Sequence, residues 1–200
     1  MSTILHWFAE YGYMVVFFPV MLELVGIPFP SETILLAAGA TVASGRLNLV
    51  TVIVLGAAAA TIGAALGYAI GHYGGRPLLA WMVRRRLLRQ HHIDRVDGFL
   101  HRRGARVLVV IRFVPGVRIP AFWVAGSSGM ALRRFLVADA AGGLLWAASM
   151  VLLGDVFARS LSTLATVFGQ DAAIAAGLVA LLAASAMLVR SRLRLRSQRS

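Results

Sequence analysis

The hydrophobic positions of this chain fall into long runs that charged residues seldom interrupt. Leu47–Gly71 holds 25 residues without a charge, and at ~1.5 Å per residue such a helix crosses a hydrocarbon core of ~30 Å. Phe135–Gly154 is interrupted only by Asp139, and Ala172–Val189 adds 18 uncharged residues. This pattern predicts transmembrane helices over residues 47–71, 135–156 and 172–189.

Two further apolar runs, 11–45 and 107–132, contain prolines. Their predicted turn residues are Pro28, Pro30, Pro115, Gly116 and Pro120. Because proline lacks a backbone donor and disfavours helix at the preceding residue, each run should form two short arms around a break. An arm of ~13 residues reaches only ~20 Å as a helix, so each run is either a kinked span or a re-entrant hairpin. Extension of the first arm back to Ile4, which would let it span fully, stays open.

The distribution of arginine favours re-entrant hairpins. The segment 76–106 carries nine arginines against two aspartates, and Arg133 and Arg134 follow the second broken run. Basic segments remain in the cytoplasm, and re-entry keeps both clusters there, together with the basic tail 190–200. The two hairpins then enter from opposite faces. The predicted fold is an all-α polytopic membrane protein with two opposed re-entrant helical hairpins and transmembrane helices in an inverted repeat.

Composition agrees with a single membrane domain over residues 1–200. The chain is 59% hydrophobic and 14% charged, against about 25% charged residues in soluble domains. Its formal net charge of +12 comes from arginine without any lysine. Because the arginines flank hydrophobic runs, anionic lipid head groups are better partners for the Arg-rich loop and tail than nucleic acid. The absence of cysteine excludes disulfides and thiolate chemistry, and we expect no cleaved signal peptide.

Five charged residues fall at membrane depth: Glu23, Glu32, Arg112, Arg118 and Asp139. Each costs ~2.5–3.5 kcal/mol at the centre of an inserted helix, so such charges are usually paired and functional. The first broken run is acidic and the second is basic, and we expect the two to meet. If these charges served only as salt bridges that lock the hairpins together, one ion pair would be enough. Two guanidiniums that bracket a Pro-Gly turn suit a phosphate instead.

Small residues on the predicted helices indicate close packing. Gly63, Gly67 and Gly71 recur every four residues and give their helix a smooth face. Gly142-Gly143 and Trp146 are assigned packing and interface roles in the second long helix.

Two other clusters suggest metal binding or catalysis. The first is His91, His92, Asp94, Asp97 and His101. Positions 94, 97 and 101 share a helical face, as metal ligands could, but a solvated amphipathic helix explains the cluster as well. The second is Gly126-Ser127-Ser128-Gly129, which matches the G-x-S-G of an intramembrane serine protease, although the nearby His72 lies at a helix edge. We predict no catalytic residue, no metal ligand and no cofactor.

Three blocks of the chain resemble the DedA family, also described as the SNARE-associated or VTT domain. The blocks are YGYMVVFFPVMLELVGIPFPSETILLAAGA, GAALGYAIGHYGGRPLL, and RFVPGVRIPAFWVAGSSGM followed by F-x3-D-x2-G-x3-W. They cover about residues 11–156 in the family's order. The resemblance implies an integral protein of the bacterial cytoplasmic (inner) membrane with two opposed re-entrant hairpins, and the charge pattern places its C-terminus in the cytoplasm.

The resemblance also implies a function and roles for the charged residues. The chain is similar to flippases that move a phosphate-bearing lipid, foremost undecaprenyl phosphate, between leaflets with dependence on the proton motive force. Arg112 and Arg118 resemble the family's arginine pair and would bind the phosphate. Glu23 and Glu32 resemble its essential acidic residues and would couple protons. Asp139 stands where many members carry Asn, which gives it an accessory role.

Several alternatives stay open beside this prediction. A phosphatidylethanolamine flippase or passive scramblase would use the same site, and the glutamate pair would permit a proton-coupled ion or drug antiporter. An enzyme acting on lipid phosphates or peptides is disfavoured, because the central site contains no Ser/His dyad, and we predict that the protein is not an enzyme. A scaffold without transport and assembly as a homo-oligomer also stay open, as does the side of the membrane on which the N-terminus lies.

Overall fold

The computed structural model describes residues 2–27, 29–85, 90–114 and 116–168. These ranges are helical and contain no strand. The helices are α1 Ser2–Val25, α2 Ser31–Ala43, α3 Leu49–Arg84, α4 Gln90–Arg103, α5 Val107–Ile111, α6 Arg118–Ser127 and α7 Leu132–Phe168, and a 3₁₀ turn at Gly104–Arg106 joins α4 to α5. The chain divides into two compact units, Met1–Asp155 and Val156–Ser200. The first unit contains every charged residue predicted at membrane depth.

The first broken run forms two helices with a turn between them. Gly26 has a φ of 129°, a conformation that glycine adopts without steric cost, and Pro30 immediately precedes α2. Pro28 lies outside the described residues. α1 extends back past Ile4 and has 24 residues, and its stretch Tyr11–Val25 is an apolar helix shorter than the candidate membrane spans.

α3 begins at Leu49, two residues after the start of the predicted helix 47–71, and continues beyond its end to Arg84. The side chain of Asn48 accepts a hydrogen bond of 3.1 Å from the backbone N–H of Thr51 and caps the first turn. Helical geometry is interrupted at Gly75, with φ 55° and ψ −162°, just before Pro77. The predicted loop 76–106 is therefore largely helical, because the extension of α3 and then α4 occupy most of it.

The second broken run also contains two helices, α5 and α6. Gly116 has a φ of 79° in the connection between them, and Pro115 lies outside the described residues. The predicted turn at Pro120 is corrected by the structure, which places this residue in the first turn of α6. A proline is tolerated there because the first N–H groups of a helix form no intrahelical hydrogen bond, so the missing N–H of proline costs none.

The second long helix, α7, begins before residue 135 and ends beyond residue 156. Two helical segments, Leu49–Arg84 and Leu132–Leu161, are long and apolar enough to cross a membrane. The predicted helix 172–189 and the basic tail 190–200 lie outside the described residues.

The glycine row of α3 lies against α1 and α6. A Cβ at Gly63 would overlap the backbone carbonyl oxygen of Met21 in α1, and a Cβ at Gly71 would overlap that of Trp123 in α6. Gly67 lies between these points and faces both helices. Because a side chain at these positions would push the helices apart, the row allows α3 to pack closely on both.

Around a mostly apolar core, several charged side chains are buried and many large apolar side chains are exposed. Large apolar side chains such as Val50 and Leu145 are more than half exposed, whereas Arg112 and Asp139 are each 1% exposed. Exposed apolar side chains on long helices suit contact with lipid, and charges inside such a bundle must be paired within the protein. The packing therefore agrees with a membrane protein that has a polar interior site.

Candidate functional site

Arg118 joins the two broken runs. It is the first residue of α6, and its Nη2 donates a hydrogen bond to Oε1 of Glu23, near the end of α1. The same nitrogen lies 2.8 Å from Oε1 of Glu32, in the first turn of α2. The side chains of Arg118 and Glu23 are 4% and 10% exposed, whereas that of Glu32 is 37% exposed. The expected meeting of the acidic and basic segments therefore occurs through one arginine and two carboxylates.

Arg112 has a different partner from Arg118. It directly follows α5, and its Nη1 donates to Oδ1 of Asp139 at 2.5 Å and to the backbone oxygen of the same residue at 3.0 Å. Sequence analysis gave Asp139 an accessory role, but the structure makes it the direct ion-pair partner of Arg112. Gly143 gives the guanidinium room, because a Cβ there would lie 3.3 Å from Nη1.

One edge of the Arg112 guanidinium has no acceptor. Nε and Nη2 are buried and have no hydrogen-bond partner among the described residues, and the same holds for Oδ2 of Asp139. The N–H bonds of Nε and Nη2 point the same way and form the fork that binds two oxygens of a phosphate or carboxylate. A buried donor without an acceptor costs about 1–3 kcal/mol, and more where it is charged. A buried donor edge of this kind calls for an oxygen acceptor from outside the protein, such as a water, an ion or a ligand.

Trp146 lies close to both arginines. Its ring centroid is 5.1 Å from Cζ of Arg118 and 5.8 Å from Cζ of Arg112, so the two guanidiniums are within ~11 Å of each other and both are in range of a cation–π contact. Phe122 contributes a second ring, 5.8 Å from Cζ of Arg112. The aromatic ring thus keeps the arginines near each other without giving either an anionic partner.

Sequence analysis assigned Trp146 to packing and missed this place in the site. The signal was present in the spacing of Phe135, Asp139, Gly142 and Trp146, which recur at intervals of three or four residues and share one face of a helix. All four are buried in the structure. Because Trp146 shares a helical face with Asp139, it is a candidate neighbour of Arg112, the ion-pair partner of Asp139.

The formal charges of the site do not cancel. Two guanidiniums stand against the carboxylates of Glu23, Glu32 and Asp139, which gives a net charge of −1 when all five groups are ionised. The site therefore contains the donors that an anion needs but carries an excess of negative charge.

The serine cluster and the metal candidates lie elsewhere. Ser128 Oγ donates to Oδ1 of Asp97 at 2.7 Å, and Ser127 Oγ donates to the backbone oxygen of Val124 at 3.1 Å. The His72 ring stacks on Tyr68 at a centroid distance of 5.9 Å. Within the part of the chain that the structure describes, no group of three or more His, Asp or Glu is placed to hold a metal ion, and the side chains of His92 and His101 fall outside that part.

An apolar outer surface around an internal cluster of paired charges defines a helical membrane protein with a polar site. The family model of the VTT domain matches residues 29–156, and the chain therefore belongs to the VTT-domain family, which the resemblance to DedA predicted. It is 33% identical over 153 residues to undecaprenyl phosphate transporter A of Bacillus subtilis, covering 76% of this chain and 75% of that protein.

Two other relatives are a protein that carries the family's name and a bacterial membrane protein. The chain is 33% identical over 157 residues to protein DedA of Escherichia coli strain K12, covering 74% of this chain and 71% of that protein. It is 36% identical over 150 residues to an uncharacterized membrane protein of Synechocystis, covering 75% of this chain and 69% of that protein. No solved structure gave a significant match.

Proposed function

We propose that this protein is a flippase that moves a phosphate-bearing lipid, foremost undecaprenyl phosphate, between the leaflets of the bacterial cytoplasmic membrane without catalysing a reaction. The single observation that carries the proposal is the unpartnered Nε–Nη2 edge of Arg112 inside a membrane protein. The relative from Bacillus subtilis, named as an undecaprenyl phosphate transporter, supports the choice of lipid.

The head group would bind between the two arginines. Its phosphate would accept hydrogen bonds from Nε and Nη2 of Arg112 while Asp139 continues to hold Nη1. Arg118, which is also next to the Trp146 ring, would supply the second cation. Bidentate contacts from guanidinium to phosphate are stronger than hydrogen bonds between neutral groups. They would offset the free-energy cost of dehydrating the phosphate at membrane depth.

The charge of the site gives a reason for coupling to protons. A phosphate would bring further negative charge to a site whose formal charge is already −1, and like charges at close range oppose binding. Protonation of Glu23 and Glu32 would remove this repulsion and free Arg118 for the phosphate. Of the two carboxylates, Glu32 is the more accessible to water, because its side chain is 37% exposed.

The two broken runs would act as re-entrant hairpins of an inverted repeat. Each has a positive-φ glycine between its helices, Gly26 in the first and Gly116 in the second, and each is followed by a long apolar helix. Irregular backbone at membrane depth is tolerated where it is enclosed by protein or lines a cavity. Movement of one half against the other around the shared ion pairs would expose the arginines to each leaflet in turn.

A leaflet-transfer assay in proteoliposomes tests the proposal. Undecaprenyl phosphate and phosphatidylethanolamine are compared as substrates, each with and without a pH gradient. We expect faster transfer of undecaprenyl phosphate, acceleration by the gradient, and loss of transfer in Arg112→Gln and Arg118→Gln. Arg84→Gln is the matched control, because Arg84 is exposed at the end of α3.

Each arm of the assay decides one part of the proposal. Wild-type rates in both arginine variants would refute a role for the arginines in phosphate binding. Transfer that is indifferent to the gradient would refute proton coupling and favour a scramblase, and preferential movement of phosphatidylethanolamine would change the substrate. Proton flux driven by Na⁺ or K⁺ in the absence of a transferable lipid would favour the antiporter instead.

A further inference from the structure

A groove of about 810 Å³ opens between the 3₁₀ turn with α5 on one side and the start of α7 on the other. Its rim carries Arg103, Arg106, Arg133 and Arg134, and its apolar floor is formed by Val109, Ala131, Val137, Ala138 and Ala141. The four arginines are exposed. No acidic residue lines the groove, and within the described ranges no carboxylate forms an ion pair with any of the four.

The chemistry of the groove matches an anionic amphiphile. A volume of 810 Å³ falls in the range of ~300–1,000 Å³ that is usual for small-molecule sites. Four guanidiniums without counter-ions attract a phosphate, while an apolar floor favours a hydrocarbon chain over a free inorganic ion. An anionic lipid has a phosphate that suits the arginines and a hydrocarbon chain that suits the apolar floor.

The inner part of the groove approaches the site that holds Arg112. Ala138 and Ala141, which line the floor, flank Asp139 on α7, and Val109 lies one helical turn before Arg112. A Cβ at Gly142 would lie 3.0 Å from Cα of Val109, so α5 and α7 are in close contact at this depth. The groove and the buried arginine are therefore neighbours along both helices that form the groove.

We propose that this groove is a loading site. It binds the phosphate monoester head group of a lipid from the leaflet on the arginine-rich side, before the phosphate moves to the neighbouring Arg112. The destination of the lipid rests on the proposed function, whereas binding in the groove does not. The arginine pair Arg133 and Arg134 lies outside the basic loop 76–106, and together with Arg103 and Arg106 it turns two separate stretches of sequence into one site.

Photo-crosslinking of the full-length chain in phosphatidylcholine nanodiscs tests the binding step. A photoreactive amino acid replaces Val137, which lines the groove and is 67% exposed, or Val50 on α3, which is 66% exposed and lies outside it. The probe is farnesyl phosphate, and farnesol is the control that lacks only the phosphate. We expect farnesyl phosphate to label position 137 and not position 50, with at least tenfold less labelling by farnesol and no competition from equimolar inorganic phosphate.

Charge variants show whether the arginines hold the probe. Arg133→Gln with Arg134→Gln should reduce labelling at position 137 about tenfold. Arg84→Gln with Arg85→Gln removes the same charge from an exposed pair outside the groove and should leave labelling unchanged. Equal labelling in the two double variants, or equal labelling by farnesol and farnesyl phosphate, would overturn the proposal.

Lipid transfer separates this proposal from the proposed function. In the double variant at 133 and 134, the lipid concentration for half-maximal transfer should rise several-fold while the maximal rate is retained; an unchanged half-maximal concentration would overturn the loading role. Arg112→Gln should abolish transfer and leave labelling at position 137 intact. If the wild-type protein transfers no lipid phosphate at all, the proposed function fails, and the labelling experiment still decides whether the groove binds.

Discussion

Removal of Arg118 should expose the cost of leaving a carboxylate buried without a partner. In Arg118→Gln, Glu23 loses its cation, and its second oxygen, Oε2, is already buried without a partner among the described residues. Breaking a buried ion pair from one side costs about 3–5 kcal/mol because the remaining charge is uncompensated. Glu32 is 37% exposed and can keep its water, so Glu32→Gln should cost no more than ~1 kcal/mol.

Thermal unfolding of purified protein in detergent micelles measures these differences. For a chain of this size, 1 kcal/mol corresponds to a shift of ~2–4 °C in Tm, so Arg118→Gln should lower Tm by ~6–20 °C and Glu32→Gln by less than ~4 °C. Glu23→Gln combined with Arg118→Gln should recover most of the loss, because neither change then leaves a buried charge behind.

The double variant is the decisive comparison. If it is as unstable as the sum of the two single variants, the interaction free energy between Glu23 and Arg118 is near zero. The two residues would then not form the buried ion pair on which the site depends, and the competition between carboxylate and phosphate for Arg118 would lose its basis.

Three further changes test other parts of the structure. Gly71→Ala should cost about 1–3 kcal/mol, because its Cβ would overlap the backbone of Trp123; the control Gly98→Ala, whose Cβ would lie 3.6 Å from the end of the Arg102 side chain, should not lower Tm. Asp139→Asn changes the formal charge of the site from −1 to 0 and should lower the lipid-phosphate concentration for half-maximal transfer, whereas a rise would contradict the charge argument. Trp146→Leu should reduce transfer more than Trp146→Phe, since only phenylalanine keeps an aromatic face for the two guanidiniums; equal rates would show that the ring acts only by filling space.

Much of the fold follows from local features of the sequence. Apolar runs that contain at most one charge and are long enough to cross a membrane predict the positions of α3 and α7, since burial of the backbone in lipid requires helix. Breaks in the first and second runs follow from proline and glycine, which act on their own backbone and the preceding residue. The glycine row at positions 63, 67 and 71 likewise indicates a close helix contact, because the four-residue period alone places these residues on one face.

The extent of several elements did not follow from such local rules. A proline breaks a helix when it lies in the interior but is accommodated in the first turn. Pro120 lies in the first turn of α6, and the start of that helix is not evident from the sequence near it. The segment 76–106 is predicted as an arginine-rich connection that includes an amphipathic helix, and how far helix extends through it in α3 and α4 does not follow from arginine, which is compatible with helix.

The sequence by itself determined that this chain is a helical membrane protein and that five charges fall in or beside its apolar runs, because hydrophobicity and backbone propensity are properties of short segments. Only the tertiary structure decided how those charges combine. Arg118 meets Glu23 across 95 positions of sequence, and Arg112 meets Asp139 across 27. Such pairs depend on which helix faces pack together, and the contacts that fix them, from the glycines of α3 to the ring of Trp146, lie on different helices. The unpartnered edge of Arg112 and the four-arginine groove exist only once those helices are assembled.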